Sequence, residues 1–420
     1  MKYSNAKFNF RLKYIKLLSL KSIFIFLIAS CANSSPTEVE KNSINPTDSQ
    51  TVKELIPIVV GAEQMDQYLP FINRGKRVGI VANPSSMLQN THLVDALMAS
   101  RILIKTVFSP EHGFRGNADA GEHVQNAKDS RTGLPIVSLY GKNKKPTDEQ
   151  LKNIDVMLFD IQDVGVRFYT YISTLHYVME ACAENNIPLI ILDRPNPNGH
   201  YIDGPILDMK FNSFVGMHPV PIVHGMTIGE YGQMINGEFW LKDSVQCELT
   251  VVPCRNYTHN TPYSLPIPPS PNLRSDVSIQ LYPSLCLLEA TTVTVGRGTD
   301  GPFERYGHPD FPKTGFSFTP KSGFGSKHPK FEGKLCNGYN LNMKEYERVD
   351  QLDLSFVINS NRLLNGKLFI NRAKFFNLLA GNDILLKQIE EGLSEKEIRE
   401  SWKEGLEDFS LKRERYLIYE

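Results

Sequence analysis

Between Arg77 and Asp193 the chain repeats one pattern: a short apolar run, a polar loop, then a stretch with apolar residues at helical spacing. The runs are "RVGIVA" (77–82), "ILIKTVF" (102–108), "LPIVSLY" (134–140), "DVMLFDI" (155–161) and "PLIILD" (188–193). They are apolar at nearly every position rather than every second one, as strands buried on both faces require. "THLVDALMAS" and "YISTLHYVMEACAENN" carry the 3.6-residue period of helices. Strands and helices in alternation predict the α/β class, a doubly wound parallel sheet covered on both sides. Two domains, 52–210 and 211–420, are expected, since so long a chain exceeds what one hydrophobic core usually serves. Beyond Phe311 the segments alternate or are amphipathic, "SEKEIRESW" among them, and carry no evident chemistry.

The first thirty residues do not belong to this pattern. Six basic and no acidic residues precede the apolar "SIFIFLIAS", which is far short of the roughly 20 residues that span a bilayer. Residues 1–30 read as a signal peptide. "IASC" resembles a bacterial lipobox, so Cys31 is expected to be lipidated. The polar residues 31–51 would then be a disordered tether. An exported lipoprotein anchored in the membrane and facing the periplasm is the expectation, since one acylated residue can hold a soluble domain at a surface.

Taking the six leader cations from 46 leaves 40 basic against 46 acidic side chains, a net charge of −6 that argues against a nucleic-acid partner. The remaining cysteines, Cys182, Cys247, Cys254, Cys286 and Cys336, form no C-x-x-C pair, and H-E-x-x-H is absent, so no metal site is expected. Pairing of Cys247 with Cys254 across a hairpin stays open.

The loops after the apolar runs are more telling. In doubly wound folds, ligands sit beyond the carboxyl ends of the strands. There the chain places Asn83, then Glu111, His112 and Arg115 of "SPEHGFRG", then Gln162, Asp163, Arg167 and Tyr169 of "QDVGVRFYTY", then "DRPNPNG". Four polar loops, three of them with charged side chains, beside Gly and Pro predict a site, with structural ion pairs such as Asp163–Arg167 as the plainer alternative. The phosphate-cradling G-x-G-x-x-G and G-x-x-x-x-G-K-[ST] are missing, which excludes a nucleotide cofactor, and G-x-S-x-G is absent as well. Carboxylate chemistry on a sugar remains: hydroxyls need many oriented partners and a glycosidic oxygen needs a proton donor. In the second half, "PVPIVHGMTIGE" holds His224 before Thr227-x-x-Glu230, a capping-box pattern that gives Glu230 a structural duty. Glycines flank Arg297 in "VTVGRGTDGPFE", which ends on Glu304, and such loops let the backbone approach a ligand.

"SPEHGFRG", "DIQDVGVRFYTY", "LDRPNPNG", "PVPIVHGMTIGE", "PPSPNL" and "GRGTDGPFE" together resemble the NamZ/YbbC-like exo-β-N-acetylmuramidase family of bacterial peptidoglycan glycoside hydrolases. The resemblance runs from about Gly61 to about Gly338. It implies a Rossmann-like domain with a smaller α+β domain closing the cleft, no nucleotide, and release of N-acetylmuramic acid from the non-reducing end of peptidoglycan fragments. The family's catalytic glutamate falls on Glu111. "LEATTVTVGRGT" departs from the family pattern, with Ala290 and Thr292 where a glycine and an asparagine are more usual.

Glu111, walled by Phe108 and Phe114, would be the general acid, kept protonated by an apolar pocket. Asp163, Glu304 or the substrate's own 2-acetamido group would take the second role. Muramic acid carries a lactyl carboxylate, for which an arginine is the natural bidentate partner, and Arg115, Arg167 and Arg297 compete for it. The alternative is a lipid-anchored glycan-binding protein without hydrolytic activity. A deacetylase or amidase would normally want a metal.

Overall fold

The five apolar runs form parallel strands, Arg77–Ala82, Leu103–Ser109, Pro135–Ser138, Val156–Asp160 and Leu189–Leu192, in a computed structural model that describes residues 56–73, 75–116, 127–342, 348–369 and 372–420. The expected leader, the lipidated Cys31 and the tether lie outside the described residues. A sixth parallel strand, Leu249–Val252, pairs with Leu189–Leu192, and the short Ala127–Lys128 adds an antiparallel edge. Across the sheet the order is Ala127–Lys128, Pro135–Ser138, Leu103–Ser109, Arg77–Ala82, Val156–Asp160, Leu189–Leu192, Leu249–Val252. Counted along the chain, the six parallel strands stand 3-2-1-4-5-6, the doubly wound dinucleotide-fold order. Connections run in opposite directions from the Arg77–Ala82/Val156–Asp160 pair, so a crevice opens beyond Ala82 and Asp160.

Each face of the sheet has its own core. Helix Leu93–Ala99 and the residues Ile80, Ile104 and Leu158 make one. Helices Tyr171–Glu184 and Ile228–Gly237 cover the other, burying Leu175, Val178, Met179 and Met234 completely, each contributing roughly 1.5–3 kcal/mol. The second core continues without a break from Val81 to Phe409, through helix Asp276–Glu289, the three-stranded antiparallel sheet of Arg305–His308, Cys336–Asn340 and Phe316–Phe318, and the C-terminal helices. The chain is thus still building the large sheet well after position 210: strand Leu249–Val252 belongs to it and helix Ile228–Gly237 packs on its face. The smaller sheet begins only at Arg305.

Glu230 serves the structural duty read from its pattern. Thr227 N donates to Glu230 Oε2 (2.8 Å) and Glu230 N to Thr227 Oγ1 (3.2 Å), while Glu230 Oε1 accepts from Ile418 N (2.8 Å). Beside it, the Tyr419 hydroxyl donates to Asp193 Oδ2 (2.7 Å), so the chain's last residues clamp onto the sheet. The five described cysteines are all free and buried. Cys247 and Cys254 flank a parallel strand rather than a hairpin, which is why they do not pair.

Candidate active site

The strand Leu103–Ser109 ends at Pro110, and the next residues turn sharply. His112 has φ +72°, a left-handed conformation that a non-glycine side chain adopts at a cost of about 1 kcal/mol or more, and Gly113 comes next at +77°. The turn sets Glu111 and His112 into a pocket of about 70 Å³ shared with Phe168, Tyr169, Thr170 and Tyr171 from the next loop. The far side is built by Ser270, Leu273, Tyr282, Arg297 and Phe303 from the second half. Phe303 is also left-handed, φ +60°, so backbone strain collects on two opposite walls of this one pocket.

Among the described residues, Glu111 is the single carboxylate in that lining. Thr170 Oγ1 donates to its Oε2 (3.3 Å), and the Tyr140 hydroxyl is hydrogen-bonded to it. Burial, reinforced by the Glu111 charge, pushes the Tyr140 and Tyr171 phenols well above their ordinary range, so both keep their protons as donors. The walls are aromatic. Tyr169 meets Tyr171 edge to face at 4.8 Å and Tyr282 at 5.7 Å, and Tyr282 meets Phe303 at 5.1 Å. The hydroxyls of Tyr169 and Tyr171 both donate to Pro269 O (2.8 and 3.1 Å), which fixes the rings against the "PPSPNL" turn. Phe108 and Phe114, expected to wall Glu111, instead lie in the two opposite cores.

The three arginine candidates separate cleanly. Arg115 is spent on Asp95 (3.1 Å) and Asp129 (2.8 Å) and stacks on Phe114 at 4.5 Å, so it staples its own loop. Arg167 is wholly buried and faces away from the pocket: its guanidinium donates to the carbonyls of Pro205, Val220, Leu379 and Ala380. Neither lines the pocket, and both are held by partners within the fold. Of the three, Arg297 alone lines the pocket. Its Nε and Nη2 are gripped by Glu289 (2.6 and 2.7 Å), its guanidinium lies 5.1 Å from the Phe303 ring centre, and Nη1 is left outside the Glu289 pair. Burial opposes its charge, but Glu289 outweighs burial and keeps it a cation.

Other expected site residues serve the scaffold. Glu304 accepts from Ser275 Oγ and from Asn342 Nδ2 (2.7 Å), tying the glycine-rich loop to the start of helix Asp276–Glu289, and does not line the pocket. Gln162 Nε2 is used by the carbonyls of Asp163 and Pro195, and Asn83 Oδ1 by Ser85. Beside them at the crevice, Arg194 and Asp160 form a buried pair at 2.6 Å. His224, completely buried, uses Nδ1 to accept from Met226 N (3.3 Å). The Ala290 and Thr292 departures fall at the C-terminus of helix Asp276–Glu289, outside the lining.

Asp163 sits behind Tyr169 and Tyr171, 3% exposed, and accepts from Gly165 N (2.7 Å), while its Oδ1 has no hydrogen-bond partner. Gly165 must be glycine: φ is +76° and a Cβ would stand 2.2 Å from the Asn196 amide. Burial pushes Asp163 up to about 7 and His224 down to about 3, so their 3.9 Å contact is a neutral pair rather than a salt bridge. A carboxyl raised in the folded state binds its proton after the unfolded one has lost it. Its contribution is fully present below the unfolded pKa near 3.8 and is lost as pH rises through about 7. Asp163→Asn is therefore expected to raise stability at pH 8 by on the order of 2–4 kcal/mol and to gain nothing at pH 3.5. Urea titrations across that range check it, and parallel stability curves for the two proteins would refute it.

Tyr140, Thr170, Tyr282, Glu289 and Phe303 were not singled out from the sequence. Glu289 alone left a signal, as the carboxylate closing an apolar helix just ahead of a glycine-flanked arginine.

Comparison with known proteins bears on most of the chain. Residues 78–277 match the family described as exo-beta-N-acetylmuramidase NamZ, N-terminal, and residues 280–419 match its C-terminal counterpart. The peptidoglycan beta-N-acetylmuramidase NamZ of Bacillus subtilis (strain 168) is 38% identical over 429 residues, covering 95% of this chain and 100% of that protein. A crystal structure of a DUF1343 family protein from Bacteroides fragilis NCTC 9343 is 46% identical, with a TM-score of 0.80 over 87% of this chain and 99% of that one. A second DUF1343 structure from the same organism is 29% identical, with a TM-score of 0.74 over 86% and 99%.

Proposed function

Since the chain belongs to the NamZ exo-β-N-acetylmuramidase family, we propose that it releases N-acetylmuramic acid from the non-reducing end of peptidoglycan fragments, with Glu111 as the general acid. The observation that carries this reading is the pocket of aromatic walls holding one carboxylate, Glu111, and one arginine, Arg297. The aromatic faces suit the apolar side of a pyranose ring. Arg297 Nη1 supplies a charge-assisted donor for the lactyl carboxylate, the feature that separates muramic acid from glucosamine.

Glu111 gives its proton to the glycosidic oxygen as the bond from C1 to that oxygen breaks. With no second carboxylate among the described lining residues, the substrate's 2-acetamido oxygen takes the other role, closing on C1 to form a cyclic oxazolinium ion. Water then attacks C1, the acetamido group reopens, and the Glu111 carboxylate accepts the water's proton, returning to its starting state.

Lipid at Cys31 would hold this chemistry at the periplasmic face of a membrane. One experiment tests both parts. Membranes bearing the full chain, and the supernatant from cells making Cys31→Ser, are given chromogenic β-glycosides of N-acetylmuramic acid and of N-acetylglucosamine. Cleavage of the muramic acid glycoside is expected in the pellet for the parent and in the supernatant for Cys31→Ser, with the glucosamine glycoside at least 30-fold poorer, about the worth of one charge-assisted contact. Equal cleavage of both glycosides would overturn the substrate reading, no cleavage of either would leave the glycan-binding alternative, and a soluble parent would overturn the anchor.

A further inference from the structure

We propose that Phe324 is an aromatic platform for the sugar on the leaving-group side of the scissile bond, so that the protein recognises a muramic acid still linked to its neighbour better than muramic acid alone. The inference rests on the glycosidase reading for the orientation of the chain in the pocket.

Phe324 is 62% exposed, which alone means little, because single exposed apolar side chains are ordinary. Its mounting is less ordinary. Gly323 and Ser326 exchange both backbone hydrogen bonds (3.1 and 3.0 Å), which closes a two-residue turn around Phe324 and Gly325, and Gly325 takes φ +92°. The turn is pinned to the pocket's lip. Ser270 and Leu273 line the pocket, and between them Asn272 Nδ2 donates to Gly325 O (2.7 Å). On the other side of Leu273, Arg274 Nη2 donates to Phe324 O (3.2 Å). A Cβ on Gly325 would stand 3.1 Å from the Pro271 ring, so the tip packs directly on the lip. The result is a ring held in water by a turn that is tied to the residues on both sides of Leu273.

A glucosamine residue in its chair form has all ring substituents equatorial and so offers a flat apolar face of axial C–H bonds. An aromatic face fixed beside the pocket mouth gains from covering it, and a turn already closed loses little entropy in doing so. With the muramic acid taking the lining around Glu111 and Arg297, the neighbouring sugar lies outside on the rim.

The test measures binding, which separates the platform from the chemistry. In the Glu111→Gln background, calorimetry gives Kd for the β-1,4 disaccharide of N-acetylmuramic acid and N-acetylglucosamine, and for N-acetylmuramic acid alone. Adding Phe324→Ala is expected to weaken the disaccharide about tenfold and the monosaccharide less than twofold, with Phe324→Trp restoring the disaccharide. Equal weakening of both sugars, no weakening of either, or a disaccharide that binds no better than the monosaccharide while Phe324 is intact would each overturn the platform. Turnover by the parent protein decides the glycosidase reading separately.

Discussion

Glu111→Gln is expected to lower kcat on the natural disaccharide by about a thousandfold while leaving its affinity within a factor of three. Glutamine matches glutamate in size and keeps an oxygen to accept from Thr170 and Tyr140, so the loop geometry survives. What it cannot do is release a proton to the departing oxygen or take one from the attacking water. General acid–base catalysis is worth roughly 10²–10⁴, which sets the size of the loss. The leaving group refines the expectation. A nitrophenolate needs little help in departing, so the variant should lose less on the nitrophenyl glycoside than on the disaccharide, a gap that a merely misfolded protein would not show. Steady-state kinetics on the two substrates, with circular dichroism as a check on folding, measure it. A variant keeping more than a tenth of the parent kcat on the disaccharide would remove Glu111 from the mechanism.

The place of Glu111 in the pocket lining was legible because that position is topological. A carboxylate one proline beyond a buried strand, in a sheet whose ligands gather at that edge, is read from the chain order of the elements. The strands themselves were legible for a related reason: "RVGIVA" and "DVMLFDI" are apolar throughout because both faces are covered, and the structure places Arg77–Ala82 and Val156–Asp160 there. Leu249–Val252 escaped because it is an edge strand, only partly buried at Leu249 and Val251 and exposed at Thr250, so its segment lacks a continuous apolar run. The large sheet therefore takes in a segment beyond position 210.

Side-chain direction was the part the sequence withheld. Arg115, Arg167 and Arg297 all stand in loops of the expected kind, and only packing decides which points inward. Arg115 finds Asp129 across residues that the apolar pattern does not describe, and Arg167 finds carbonyls more than two hundred positions away. The partners of a buried cation are often backbone groups, which every residue has and no motif marks.

Arg167→Ala is accordingly expected to destabilise the fold rather than to change its substrate. Leu379 and Ala380 end the helix Ala373–Ala380, where carbonyls have no intrahelical partner and the helix dipole is negative, and the guanidinium supplies both the donors and the countercharge. The same group also donates to Pro205 and Val220, so one side chain joins three segments. Gly381 makes room for it: φ is +81°, and a Cβ there would stand 2.5 Å from Arg167 Nη2. Burial lowers the guanidinium to about 9, still charged at neutral pH. Truncation would leave four carbonyls inside the protein facing a cavity. An unsatisfied buried group costs roughly 1–3 kcal/mol, and partial relaxation brings the sum to about 3–5 kcal/mol, or a fall in Tm on the order of 10 °C. Arg167→Lys should recover only part, because a single ammonium has three donors for four acceptors and no planar fork. Below the new Tm, the surviving folded fraction should cleave muramic acid glycosides with unchanged KM. A raised KM for the muramic acid glycoside with parental Tm would instead put this arginine back in the pocket, against the four carbonyl contacts that hold it outside.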